Sequence, residues 1–142
     1  MLILLSIIAF YSCTSTKSLN NDDQWSLDLK KGGCLDVCKA YSISIKNNGE
    51  YDYTGKFKVK HHGKKKGRIK EQELRELKNL LKNITWKDLK SAYDNPALDS
   101  QKNTVKYTSE SISKKITYSR LEPQELRTLE NFINTIIEQD DF

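Results

Sequence analysis

What these 142 residues lack bounds their chemistry. There are only two histidines, His61 and His62, and they are adjacent, so an extended backbone points them to opposite sides. No third histidine or cysteine stands at metal-ligand spacing, so neither a metal site nor a cofactor is expected. A Gly-rich phosphate loop, a nucleophile elbow and a singled-out set of Ser, His and Asp are missing as well. The acids Glu71, Glu73 and Glu76 are interleaved with basic residues and read as a solvated helix face, not as paired catalytic carboxylates. On these grounds the chain is not expected to be an enzyme. Leu2 to Phe10 is apolar except for Ser6, but at about nine residues it falls far short of the roughly 20 that span a membrane. The length suits one domain with a single core.

Acids are also missing from one segment. Lys56, Lys58, Lys60, Lys64, Lys65, Lys66, Arg68 and Lys70 follow one another without an Asp or Glu between them, and with these set aside the rest of the chain is mildly acidic despite the formal charge of +5. Lys56, Lys58 and Lys60 alternate with Phe57 and Val59, which puts them on the polar face of a strand, and His61 to Gly67 reads as an exposed, flexible loop. Two readings stay open for this segment: a solvated strand edge that discourages pairing between sheets, or an anion-binding surface.

The three cysteines, Cys13, Cys34 and Cys38, are an odd count. The short apolar run has the length of a signal-peptide core. Phe10-Tyr11-Ser12-Cys13 then resembles the lipobox of bacterial lipoproteins, a small residue directly before a cysteine. That resemblance implies a leader over residues 1–12 and lipidation of Cys13 as the mature N-terminus. No Lys or Arg precedes the run, and Phe10 stands where lipoboxes usually have Leu. Thr14 to Gln24 has no periodic apolar positions and reads as a tether, making 13–24 a linker and 25–142 the domain.

From Trp25 the pattern turns to period two, with Trp25, Leu27 and Leu29 on one face of a strand that Gly32-Gly33 ends. Tyr41, Ile43 and Ile45 repeat the pattern, and Tyr51, Tyr53, Phe57 and Val59 offer an inward set at odd positions. A two-residue Asn48-Gly49 turn would set Ile45 opposite Asp52 and mix the faces. A three-residue Asn47-Asn48-Gly49 loop sets Ile45 against Tyr51 and Ile43 against Tyr53, with Gly49 at positive φ and Lys46 beside Glu50. Leu74, Leu77, Leu80, Leu81 and Ile84 fit one side of a helix. Thr85 with Asp88 resembles a capping box opening a short helical turn that carries Trp86, Leu89 and Tyr93, stopped by Asn95-Pro96. Val105 and Tyr107, then Ile116 and Tyr118, mark two further strands. The last helix has Pro123 at its first position, Leu121 stapled onto Leu126, and Leu129, Phe132, Ile133, Ile136 and Ile137 along its stripe. The expected fold class is α+β: an antiparallel sheet of about five strands with two main amphipathic helices packed on one face.

The run from Cys34 to Ile45 resembles a family of bacterial envelope proteins known only as a domain of unknown function, with the signature Cys-Phe-Gly-x-Cys-Pro-x-Tyr before an alternating strand. Cys34, Cys38 and Tyr41 match, whereas Leu35, Asp36 and Lys39 replace its Phe, Gly and Pro. Gly49, Gly55, the Leu74 to Leu81 helix, the aromatic turn of Trp86, Leu89 and Tyr93, and Asp99 fall where that family has similar features. Membership implies an exported, often lipidated domain and no known reaction. In an oxidising compartment the two thiols, three residues apart, are close enough for a small disulfide ring whose loop closure contributes about 2 kcal/mol. A redox-active dithiol would normally use a two-residue spacing and a helix N-terminus, and here a strand follows.

Three functions remain open: a lipid-anchored, non-enzymatic accessory or binding module of the cell envelope, facing the periplasm or the cell exterior; an anion-binding module using the 56–70 segment; and a thiol-active protein using Cys34 and Cys38. The expected partners are the membrane, through an N-terminal lipid, and anionic lipid or another envelope protein. A membrane-tethered protein meets head groups before nucleic acid, which is not expected as a partner.

Overall fold

A computed structural model of the chain describes residues 24–34, 37–94, 100–119, 121–139 and 141–142. Cys13, the expected leader and the expected tether as far as Asp23 lie outside the described residues, as do Leu35, Asp36 and the stretch 95–99 that holds Asn95-Pro96 and Asp99.

The elements run β1 (Trp25–Lys31), β2 (Ala40–Lys46), β3 (Glu50–Phe57), β4 (Gly63–Arg68), α1 (Glu71–Asn83), β5 (Ala92–Tyr93), β6 (Asn103–Ser109), β7 (Ser113–Tyr118) and α2 (Gln124–Ile137). The strands form one sheet in the order β4-β3-β2-β1-β6-β7-β5. Every neighbouring pair is antiparallel except β5 with β7, which is parallel. The expected sheet of about five antiparallel strands is therefore wrong: it has seven strands and is mixed.

The two extra strands have separate causes. β4 is Gly-Lys-Lys-Lys-Gly-Arg, with no alternating apolar residue to announce a strand, and was expected as a loop. As the edge of the sheet it needs no buried face. Its backbone ladder to β3 holds it, with ion pairs from Lys66 to Asp52 at 2.8 Å and Arg68 to Glu50 at 3.5 Å. β5 takes the place of the expected helical turn. Thr85 to Asp88 closes as a simple turn, with Asp88 N donating to Thr85 O at 3.0 Å. Tyr93 then joins β7, as Ser119 N donates to Tyr93 O at 3.0 Å.

The β2–β3 hairpin has the register that side-chain parity requires, Ile45 opposite Tyr51 and Ile43 opposite Tyr53, with Gly49 at φ 85° and Lys46 Nζ 3.5 Å from Glu50. Parity fails further along. A register shift between Ala40 and Tyr41 sets Tyr41 against Gly55 and Ala40 against Phe57, so Phe57, expected inward, is 46 % exposed. Lys58, at φ 48°, turns the chain so that Val59 re-enters the core. Gly55 is required by this turn: a Cβ there would lie 1.9 Å from His61 O.

One face of the sheet presents Leu27, Leu29, Tyr41, Ile43, Ile45, Tyr53, Val105, Ile116 and Tyr118 to the helices, all nearly inaccessible to solvent. α1 contributes Leu77 and Leu81, and α2 contributes Leu126, Leu129, Ile133, Ile136 and Ile137. Burying each such side chain contributes about 1.5–3 kcal/mol, so this layer dominates stability. α1 starts after its N-cap Lys70, whose N–H donates to Glu73 at 3.2 Å, and α2 starts after Pro123, which is its N-cap and not its first residue. Leu121 is 54 % exposed, so the expected staple is not made. Among the described residues no helix is long and apolar enough to cross a membrane.

Candidate functional site

Cys34 and Cys38 lie with their sulfurs at bonding distance and their Cα atoms 5.4 Å apart, in the loop between β1 and β2. Gly32 N donates to Lys102 O at 2.9 Å, and the Gln101 amide donates to both Gly32 O and Lys39 O. The loop therefore hangs on the segment leading into β6. Between the two lies a cavity of about 250 Å³, lined by Cys34, Val37, Cys38, Ser100, Gln101, Asn103, Glu122 and Glu130.

The floor of this cavity is the polar end of the core. The register aligns Tyr41, Lys31, Asn103 and Tyr118 across four strands on the face that meets α2. Tyr41 OH donates to Asn134 Oδ1 at 2.5 Å, Tyr118 OH donates to Glu130 Oε2 at 2.7 Å, and Lys31 Nζ pairs with Glu130 Oε1. Burial, and next the Glu130 carboxylate, push the phenols of Tyr41 and Tyr118 far above the usual range, so both act only as donors. Asn103 breaks the pattern. It is 7 % exposed, and its Oδ1 is buried without a partner among the described residues.

The basic segment divides by strand parity. In β4, Lys64, Lys66 and Arg68 stand opposite Thr54, Asp52 and Glu50 on the open side of the sheet. Lys65 points the other way, donating to Phe142 O and lying 5.7 Å from the Phe142 ring centroid, with its Nζ 3.2 Å from His61 Nδ1. The last residues of the sequence occupy this side. Phe142 stacks on Tyr51 at 4.5 Å and meets Tyr53 edge-on at 5.1 Å. Lys60 Nζ donates to Glu138 O at 2.9 Å, and Lys70 reaches Asp141 at 2.8 Å and Gln139 at 3.0 Å. The hydrogen bond between Lys70 and Asp141 raises the lysine's pKa and lowers the carboxylate's. Lys60, Lys65 and Lys70 are thus engaged by the chain's own acidic end. Lys56 and Lys58 are exposed where β3 ends.

The open face holds far more than the basic segment. Opposite one another across the strands lie Lys66, Asp52, Ser44, Asp28, Lys106 and Lys115 in one row, and Lys64, Thr54, Ser42, Lys30, Thr104 and Thr117 in the next. Asp52 and Glu50 are already paired, with Lys66 and with Lys46 and Arg68. Among the described residues Lys30, Lys64, Lys106 and Lys115 make no ion pair. Lys106 even stands directly opposite Lys115, an arrangement that costs stability in a sheet.

Over residues 26–137 the chain matches DUF6438, a domain of unknown function. The chain belongs to this family. No curated protein matches it. For this DUF6438 domain, then, the geometry is the guide. The sequence reading singled out Cys34 and Cys38 and the structure brings them together. It treated Lys56 to Lys70 as one surface, and the structure splits it. Lys31, Asn103, Glu130, Lys106 and Lys115 were missed as site residues. For the last two a signal existed: the alternation that marks Val105, Tyr107 and Ile116 as inward also marks Lys106 and Lys115 as outward. Asn103 and Glu130 carry no local signal, because only the register and the α2 crossing bring them together.

Proposed function

We propose that this DUF6438 domain is a non-enzymatic binding module of the cell envelope, anchored by a lipid on Cys13, that rests the open face of its sheet on anionic lipid head groups. The observation that carries this reading is the set of four lysines, Lys30, Lys64, Lys106 and Lys115, without ion-pair partners among the described residues, on a face that no described element covers, with Thr54, Ser42, Thr104 and Thr117 in the row of Lys64 and Lys30 and with Lys106 between Asp28 and Lys115. A basic side chain close to an anionic leaflet contributes about 1 kcal/mol, so four together suffice for weak docking once an anchor holds the domain nearby. An anchor raises the local concentration of the face, and hydroxyls between the lysines offer hydrogen bonds to phosphate oxygens. In this reading the Cys34–Cys38 pair is a structural staple.

The test uses the chain carrying Cys13→Ala, so that no lipid contributes. Sedimentation with phosphatidylglycerol vesicles at low salt is expected to exceed that with phosphatidylcholine vesicles and to fall as salt shortens the Debye length from about 10 Å at 0.1 M to about 3 Å at 1 M. Replacing Lys30, Lys106 and Lys115 together by Ser should abolish the difference. Equal sedimentation of parent and triple variant with anionic vesicles would overturn the docking face. With Cys13 intact, fractionation of cells should place the chain in the membrane and Cys13→Ala should release it; retention of that variant would overturn the anchor.

A further inference from the structure

The cavity beneath the Cys34–Cys38 loop lies on the helix-bearing side of the sheet, apart from the open face, and its chemistry is of the opposite sign. Its polar lining is mostly acceptors: Asn103 Oδ1 without a partner among the described residues, the carboxylates of Glu122 and Glu130, and the carbonyl oxygen left over on Gln101, whose amide hydrogens are spent on Gly32 and Lys39, with the Ser100 hydroxyl able to donate or accept. Among the described residues no Lys, Arg or His lines it. The cations that pair with the two carboxylates, Lys31 with Glu130 and Arg127 with Glu122 at 3.2 Å, are not among the lining residues. The lining thus offers carboxylate and amide oxygens, each carboxylate being paired with a cation on its far side.

We propose that this cavity is a binding site for a small ligand with a primary ammonium group. A buried acceptor left unsatisfied loses its hydration without replacement, so Asn103 rewards any donor that reaches it. One water needs only about 10–15 Å³ of such space, and the cavity offers about 250 Å³. It is smaller than the roughly 300–1,000 Å³ of sites for drug-sized molecules, which limits the ligand to a short amine. An ammonium group brings three donors, matching Asn103 Oδ1, Glu122 and the Gln101 oxygen, while its alkyl part meets the disulfide and Val37 at the mouth. Charge-assisted hydrogen bonds of this kind are about twice as strong as neutral ones. The proposal is independent of the docking face.

The test is titration of the full chain, with its disulfide closed, by n-butylammonium chloride, followed by amide NMR at Gln101, Asn103 and Glu122. Saturable shifts centred on these residues are expected. Tetramethylammonium chloride, which has the charge but no N–H, and butan-1-ol, which has the chain but no charge, should each bind at least about tenfold more weakly, a difference of about 1.4 kcal/mol. Asn103→Asp keeps the shape and can only accept, and should tighten n-butylammonium binding several-fold. Glu122→Gln should weaken it about tenfold while keeping the side chain's shape and its hydrogen bond from Arg127, so it decides the matter should Asn103→Asp not fold. Absence of saturable shifts at the cavity, equal binding of tetramethylammonium or butan-1-ol, or unchanged affinity in Glu122→Gln would each overturn the proposal.

Discussion

Lys31→Met is the sharpest test of how this domain closes around its polar end. The Lys31 and Glu130 side chains are 12 % and 14 % exposed, and they join β1 to α2 with Tyr118 as the second donor to the carboxylate. At an effective dielectric constant of about 20, unit charges 4 Å apart attract by about 4 kcal/mol. Removing one member forfeits that attraction and leaves the other charge buried, which in such pairs costs about 3–5 kcal/mol. Lys31→Met should therefore destabilise by about 3 kcal/mol or more in urea unfolding at neutral pH. Glu130→Gln, which still accepts from Tyr118 but strands the lysine, should cost a similar amount. The double variant leaves no unpaired charge and should cost only about 1–2 kcal/mol, giving a coupling of several kcal/mol. Additive costs, or a Lys31→Met loss under about 1 kcal/mol, would show that water screens the pair and that the buried polar row is not built as described.

Replacing Cys34 and Cys38 together by Ser should lower stability by about 2 kcal/mol, read from the urea midpoint, because the loop they close has only five residues; no change would mean the loop is held by Gln101 alone. Burial pushes the Tyr53 phenol up to about 12, so its neutral form is favoured by folding: its contribution is complete below the unfolded value near 10 and is lost as pH rises through about 12. Phenolate absorbance should accordingly show Tyr41, Tyr53 and Tyr118 titrating together with unfolding and not before it. Lys65→Met should cost about 1–2 kcal/mol through its lost hydrogen bonds to Phe142 and His61, whereas Lys64→Ser and Lys66→Ser should each stay within about 0.5 kcal/mol, as measured by thermal unfolding.

The sequence made the interior strands legible because each has one buried face: β1, β2, β6 and β7 alternate cleanly, and the parity of Ile43, Ile45, Tyr51 and Tyr53 fixes a hairpin with a single permissible loop length. β4 was illegible for the same reason reversed. An edge strand exposed on one side, with Lys65 and Gly67 on the other, carries no hydrophobic period to read. β5 was lost because two residues cannot establish any period, and the aromatic spacing of Trp86, Leu89 and Tyr93 imitates a helix. In fact Trp86 stacks on Tyr107 at 4.6 Å while Tyr93 lies in the sheet. Phe57 was misplaced because a register shift inverts parity without leaving a mark in the composition. The acceptor cavity depends on crossings between β1, β6, β7 and α2, contacts distant in sequence that no local pattern encodes.

Strand parity also explains why a single basic run has two electrostatic roles. In β4 successive side chains alternate between the open face and the helix-bearing side, so neighbours one residue apart meet different surroundings. Lys65, with Lys60 and Lys70 at the adjoining turns, meets the acidic end of the chain and is consumed in holding Phe142 against Tyr51 and Tyr53. Lys64 and Lys66 face outward and extend a surface whose other lysines come from β1, β6 and β7, far away in sequence. Charge density along the sequence thus overstates the Lys56–Lys70 segment as an anion site and understates the sheet. The potential that an anionic surface would feel is set by rows running across the strands: among the described residues the lysines without ion pairs lie on β1 (Lys30), β4 (Lys64), β6 (Lys106) and β7 (Lys115), and the acids Asp28, Glu50 and Asp52 lie on β1 and β3, leaving β6 and β7 without an acid on this face. Such a face attracts most strongly along its β6–β7 side, which is the side that docks first if the domain meets a membrane.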